Sequence, residues 1–161
     1  MTHSLAAHLD VSIRLELDLA RLYTLFHDHF SDDEDFWWQL AMEERSHAAL
    51  LQQEKKQPQP IEFFPENLLA VDLKALSDSS TRILELINRY TGHAPSREDA
   101  LNDALQIELS AGEAHFQKFM ESDSGSLTAD LFRQLASEDQ NHAQRIREYM
   151  QKNGIRESVR K

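Results

Sequence analysis

Gln39-Leu40-Ala41-Met42-Glu43-Glu44-Arg45-Ser46-His47-Ala48 is echoed by Gln134-Leu135-Ala136-Ser137-Glu138-Asp139-Gln140-Asn141-His142-Ala143, at an offset of 95 residues. Six of the ten positions are identical, which is what a copied segment leaves behind. Each stretch carries an acid-x-x-His, Glu44 with His47 and Asp139 with His142. A spacing of three puts carboxylate and imidazole on one helix face. A Glu-Leu precedes each stretch, at Glu16-Leu17 and Glu108-Leu109, 92 residues apart. Such similar offsets indicate one helical hairpin present twice, related by a pseudo-two-fold axis. A unit this long and used only twice is not a solenoid.

The periodicity around these stretches is helical. A first helix is expected from about Ser4 to Phe30, with Leu9, Ile13, Glu16, Ala20, Tyr23 and His27 on one face. A second begins near Ser31, where Ser31-Asp32-Asp33-Glu34 reads as a capping box, and Trp37, Leu40, Glu44, His47 and Leu51 share its face. A third starts near Ser96, after Pro95, with Leu101, Leu105, Glu108, Gly112, His115 and Phe119 aligned. A fourth follows Ser124-Gly125-Ser126 and aligns Leu135, Asp139, His142, Ile146 and Tyr149. The short connections make each pair an antiparallel hairpin. The chain is therefore read as one all-α domain: hairpin about 4–56, crossover about 57–95, hairpin about 96–151, basic tail 152–161. Pro58, Pro60 and Pro65 break the crossover, Ile61, Phe63 and Phe64 are expected to cover one end of the core, and an extra helix is expected from about Val71 to Tyr90. Two hairpins and one long crossover make an up-down four-helix bundle of the ferritin-like kind.

Composition supports this and removes other classes. The 161 residues are 40% apolar, enough for a core, and four Gly and four Pro leave room for long helices. With no Cys there is no disulfide, thiolate zinc site or Cys-ligated iron–sulfur cluster. A net charge of −11 disfavours nucleic acid and anionic lipid and suits cations, though it also serves solubility. The segment from Arg145 to Lys161 is locally basic, as expected of a fraying helix C-terminus. No signal peptide or membrane span is read, and the cytoplasm is the expected compartment.

Glu16, Glu44 and His47 form one set, and Glu108, Asp139 and His142 a second. Facing each other, they offer four carboxylates and two imidazoles, which balance two divalent metals. Seven His have a residue three places before them, so chance supplies roughly one acid-x-x-His, and two occur. Placement carries the argument: all six residues fall on faces otherwise filled by Leu, Ile, Trp, Phe, Ala and Tyr. Buried carboxylates are costly unless paired or metal-bound. Oxygen-rich ligands with one imidazole per ion favour iron or manganese over structural zinc.

Taken together, Glu16 with Tyr23, Glu44-x-x-His47, Glu108 and Asp139-x-x-His142 resemble the ferritin-like di-iron carboxylate superfamily, most closely its rubrerythrin-like proteins. The resemblance covers all four main helices. It implies two iron ions per chain, with manganese or zinc as possible substitutes. It makes Glu16 and Glu108 terminal ligands, Glu44 and Asp139 bridging ligands, and His47 and His142 ligands to one ion each. Tyr23 matches a family tyrosine that hydrogen-bonds a ligand carboxylate, and His115 takes the corresponding place on the third helix, as an outer partner, an extra ligand, a proton donor or a polar filler. The implied activity is oxidoreduction of Fe²⁺ with peroxide or oxygen, in iron handling or oxidative-stress defence.

Several positions depart from the family. Asp139 stands where the family usually has Glu, with Glu138 as an outside candidate. Ala111 replaces a further carboxylate, which weakens a peroxidase reading. No rubredoxin domain is present, so electrons would come from a separate donor. Arg45 stands where bacterioferritins carry a haem-binding Met, so no haem is expected. Two other classes stay open: an iron carrier or store without turnover, and a bundle with a degraded site that serves as an interaction module. Of the adjacent Trp37 and Trp38, one is expected in the core and the other is a candidate for a homodimer contact or partial burial. His27 reads as a bundle-end residue, and His3, His8, His29 and His93 as surface.

Overall fold

The computed structural model describes residues 5–56, 66–121 and 141–158, with side chains described at 7, 9–53, 55–56, 74–110 and 141–158. Every element among these is helical. The order is α1 (Leu5–His29), a 3-10 turn (Ser31–Asp33), α2 (Glu34–Lys55), α3 (Glu66–Gly92), α4 (Arg97–Glu121) and a helical stretch over 141–152, here α5. None of the described helices is long and apolar enough to cross a membrane.

The buried positions follow the helical repeat. On α1, Leu9, Ser12, Glu16, Leu19, Tyr23 and Phe26 are buried, and so are Leu15 and Leu22 beside them. A stripe that wide needs covering from several sides, and α1 packs against both α2 and α3. On α3 the buried row is Leu76, Ser80, Ile83, Ile87 and Tyr90, and on α4 it is Ala100, Leu101, Ala104, Leu105 and Glu108. All the apolar members except Leu9 join one core cluster with Trp37, Leu40, Ile146 and Met150. Truncating a buried Leu such as Leu76 to Ala in such a core costs about 2–5 kcal/mol.

Side-chain contacts fix the helix directions. Asp10 meets Lys55, Glu16 faces His47 and Tyr23 packs on Trp37, so α1 and α2 run antiparallel. Glu44 meets His142 and Phe36 stacks on Tyr149, so α2 and α5 run antiparallel. Glu108 lies near His142 while Arg97 reaches Asn153, so α4 and α5 are antiparallel too. α3 packs against α1 and α4, with Tyr90 beside Phe26 and Asp103.

Four local features differ from the sequence reading or extend it. The extra helix is longer than Val71–Tyr90: α3 runs for 27 residues from Glu66 to Gly92. Its first residue follows Pro65 in the sequence, and it ends at Gly92, ahead of Pro95. Ser31–Glu34 is not a capping box, because the Ser31–Asp33 turn has no side-chain cap and Asp33 is buried. Its carboxylate is drawn inward by Arg97 and Tyr149. The α4 start does carry a side-chain cap, with Asp99 N–H donating to Ser96 Oγ at 3.0 Å.

The basic tail is docked as far as 158, and does not fray. Gly154 adopts φ 69°, and Ile155 N–H donates to Met150 O at 2.8 Å and Gly154 N–H to Gln151 O at 3.2 Å. That is a Schellman C-cap, in which glycine takes the left-handed position. Buried Asn102 then donates to Arg156 O and accepts from Ser158 N–H. Arg147 holds Glu157 through two hydrogen bonds.

Trp37 is fully buried, whereas Trp38 is 46% exposed beside the His27 ring and the Arg45 guanidinium. His29 is exposed and donates to Tyr90 O, and His93 is exposed. The expectations for Ile61, Phe63, Phe64, the Ser124–Ser126 break, Leu135, His3 and the side chain of His8 lie outside the described residues.

Candidate metal centre

Five of the six expected ligands converge where α1, α2, α4 and α5 meet. Glu16 comes from α1, Glu44 and His47 from α2, Glu108 from α4 and His142 from α5, and none is more than 3% exposed. The helical repeat produces this directly. Glu44 and His47 sit one turn apart on the face that also buries Leu40 and Leu51. Asp139, Glu138, and the side chains of His115 and Ala111 lie outside the described residues.

The donors form two triads that share a residue. Glu16, Glu44 and His47 bring ligand atoms within 4.8 Å of one another, and so do Glu44, Glu108 and His142. Glu44 turns its two oxygens to different triads: Oε2 lies 3.4 Å from His47 Nδ1, and Oε1 lies 2.8 Å from His142 Nδ1. Glu16 Oε2 is 3.8 Å from His47 Nδ1, and Glu108 Oε1 is 3.7 Å from His142 Nδ1. The two imidazoles stack, with centroids 5.4 Å apart and planes 17° apart. Tyr23 Oη donates to Glu108 Oε1 at 2.5 Å, a length typical of a hydroxyl on a carboxylate.

Several of these atoms lack hydrogen bonds. Both Glu44 oxygens, Glu108 Oε2 and His142 Nδ1 are buried, and beyond these imidazole–carboxylate approaches they have no hydrogen-bond partner among the described residues. A buried carboxylate needs a cation or a donor beside it, and a metal ion could take that place from a protonated imidazole. The donor set is oxygen and imidazole nitrogen, which suits a divalent transition metal. These residues therefore fit a metal ion in each triad.

The electrostatics point the same way. Burial pushes the His47 imidazole down, but the Glu16 and Glu44 carboxylates outweigh it and lift the value to about 12. Burial acts likewise on His142, and the Glu108 and Glu44 carboxylates lift it to about 11. Without metal, the imidazoles are thus the cations that balance the carboxylates. A metal must displace those protons to bind.

One residue at the centre was not singled out from the sequence. Glu43 holds Arg145 at 2.7 Å and lies 3.5 Å from His142 Nε2. It borders a cavity of about 250 Å³ that is also lined by Ser46, His47, Leu50, Asn141 and His142. The cavity lining joins the two buried imidazoles to the exposed Ser46 and Asn141. The signal was present in the repeat, since Glu43 and Glu138 are one of its identical pairs. Comparison with protein-family models, curated proteins and solved structures found no match for this chain.

Proposed function

We propose that this chain is a non-haem dimetal carboxylate protein of the ferritin-like, rubrerythrin-like kind, an oxidoreductase that works with iron and peroxide or oxygen. One observation carries the proposal: Glu44 directs one oxygen to each of two buried Glu/His triads. A carboxylate so placed can hold two ions side by side. The antiparallel arrangement of α1, α2, α4 and α5 around the centre supports the four-helix reading, with α3 as the extra helix of the crossover.

Bound there, two iron ions would supply Fe(II)/Fe(III) electron transfer to the oxidant. The chain does the rest. Glu16 and His47 would hold one ion, Glu108 and His142 the other, and Glu44 both. Tyr23 fixes the orientation of Glu108 through its hydrogen bond. Leu15, Leu19, Leu40, Leu105 and Ile146 help keep the surrounding core apolar, which strengthens each charge interaction at the centre. The cavity beside Glu43 would be the place where a small polar molecule meets the imidazole side.

The test is to load metal-free protein anaerobically with Fe²⁺ and mix it with peroxide and with air-saturated buffer in parallel. Rapid oxidation that favours one of the two names the oxidant. Two ions held with no fast oxidation by either would move the protein to a carrier or store, and no uptake would defeat the metal reading.

A further inference from the structure

Ser12 is fully buried, and its Oγ has no hydrogen-bond partner among the described residues. A hydroxyl inside a helix ordinarily donates to the carbonyl one turn back. Thr24, Ser46, Thr81 and Thr91 do so, to the carbonyls of Ala20, Met42, Ser77 and Ile87 at 2.8, 3.2, 3.0 and 2.5 Å. Ser12 leaves its hydrogen unspent.

Its place in the fold is specific. Ser12 lies one turn before Glu16 on the buried face of α1, about 6 Å along the helix axis. Helix side chains lean towards the N-terminus, so the Glu16 carboxylate is carried towards the Ser12 turn. α2 passes this level between the Glu16–His47 and Asp10–Lys55 contacts. There it contributes Ala48 and Leu51, both buried and apolar. The hydroxyl thus stands at the edge of the Glu16, Glu44 and His47 triad, and the α1 and α2 residues around it are otherwise apolar.

Alanine would suit the fold better at this position. It is the stronger helix former and buries no polar atom. An unpaired buried hydroxyl is destabilising, and each such group calls for a reason. Residues that work against the fold in this way are characteristic of functional sites. The two oxidants differ in what a hydroxyl can offer them. Peroxide carries polar oxygens that accept a hydrogen bond, whereas dioxygen is apolar and accepts almost none.

We propose that the Ser12 hydroxyl binds substrate at the Glu/His centre, donating a hydrogen bond to peroxide and so making the centre prefer peroxide to oxygen. This rests on the metal reading above and deepens it by naming the oxidant. No proton changes hands: Ser12 keeps its hydrogen, and an unmade bond becomes a made one when peroxide arrives.

The experiment compares wild type with Ser12→Ala, whose smaller side chain fits the same space. Metal-free protein is melted, Fe²⁺ uptake is measured, and loaded protein is mixed in stopped flow with a peroxide series and with air-saturated buffer. Ser12→Ala should melt no lower than wild type and take up the same Fe²⁺. Its half-saturating peroxide concentration should rise about 2–12-fold, as expected for one lost hydrogen bond, while oxidation by air is unchanged. A lower melting temperature, lost iron, an unchanged peroxide dependence, equal slowing with both oxidants, or loaded wild type that reacts no faster with peroxide than with air overturns the role of Ser12 alone. Wild type that takes up no Fe²⁺ overturns the metal reading and this inference with it, and the uptake measurement tells the two failures apart.

Discussion

Replacing Asp33 by Asn should destabilise the protein by about 2 kcal/mol, for reasons unrelated to metal. Asp33 is fully buried and joins three helices: Arg97 Nε and Nη2 reach it from the start of α4 at 2.8 and 2.6 Å, and Tyr149 Oη reaches it from α5. Removing one partner of a buried ion pair costs about 3–5 kcal/mol, whereas exposed pairs contribute about 0–1 kcal/mol. The Arg97 side chain is 37% exposed, so solvent screens part of the interaction and a value between the two ranges is expected. For a chain of this length that is a fall in Tm of about 4–8 °C. The pH dependence has a definite sign. Burial pushes the Asp33 carboxyl up, but the Arg97 and Tyr149 hydrogen bonds and the Arg97 charge outweigh it and hold it below its ordinary value. A folded-state value below the unfolded one stabilises the fold above the unfolded pKa of about 3.9, and that stabilisation is lost as pH falls through the folded value. Thermal melts of metal-free wild type and Asp33→Asn should therefore differ at neutral pH and converge in acid. Equal melting temperatures at pH 7, or a gap that persists unchanged to pH ~2, would refute the reasoning.

Other predictions follow from single contacts. Tyr23→Phe removes the hydrogen bond to Glu108 Oε1, and metal affinity, read by competition with a chromogenic chelator, should fall about 10–100-fold with the fold intact. Unchanged affinity would show that Glu108 needs no such support. Gly154→Ala puts a side chain at φ 69° in open space, so only backbone strain opposes it, at about 1–2 kcal/mol. The melting temperature should drop by a few degrees, and no drop would mean the turn can relax. Asn102→Ala releases Arg156 and Ser158, and trypsin should then cut the tail faster than in wild type. Equal cutting rates would mean that Ile155 and the Arg147–Glu157 pair hold the tail alone.

The periodic parts of the sequence were the readable parts. The expected first helix, Ser4–Phe30, matches α1, Leu5–His29, over all its described residues but Phe30, because its buried positions recur every three to four residues. Glu16, Glu44, His47, Glu108 and His142 were legible for the same reason: each is a polar residue on an otherwise apolar face. Asp33 was not, because it sits in the acidic run Asp32-Asp33-Glu34-Asp35, where local signals favour a cap. Only its distant partners, Arg97 and Tyr149, pull it inside. Glu43 was obscured by its neighbour Glu44, and its role depends on Arg145 and His142, about one hundred residues along the chain. The docked tail was hidden because Asn102 holds backbone groups, which no side-chain pattern reveals.

The central claim is that Glu44 joins two metal sites. The direct measurement is an anaerobic Fe²⁺ titration of metal-free protein by calorimetry, for wild type, Glu44→Ala and His47→Ala. Two ions per chain in wild type, loss of both in Glu44→Ala and loss mainly of one in His47→Ala is the predicted pattern. Equal uptake by all three proteins, or no uptake by wild type, would contradict it.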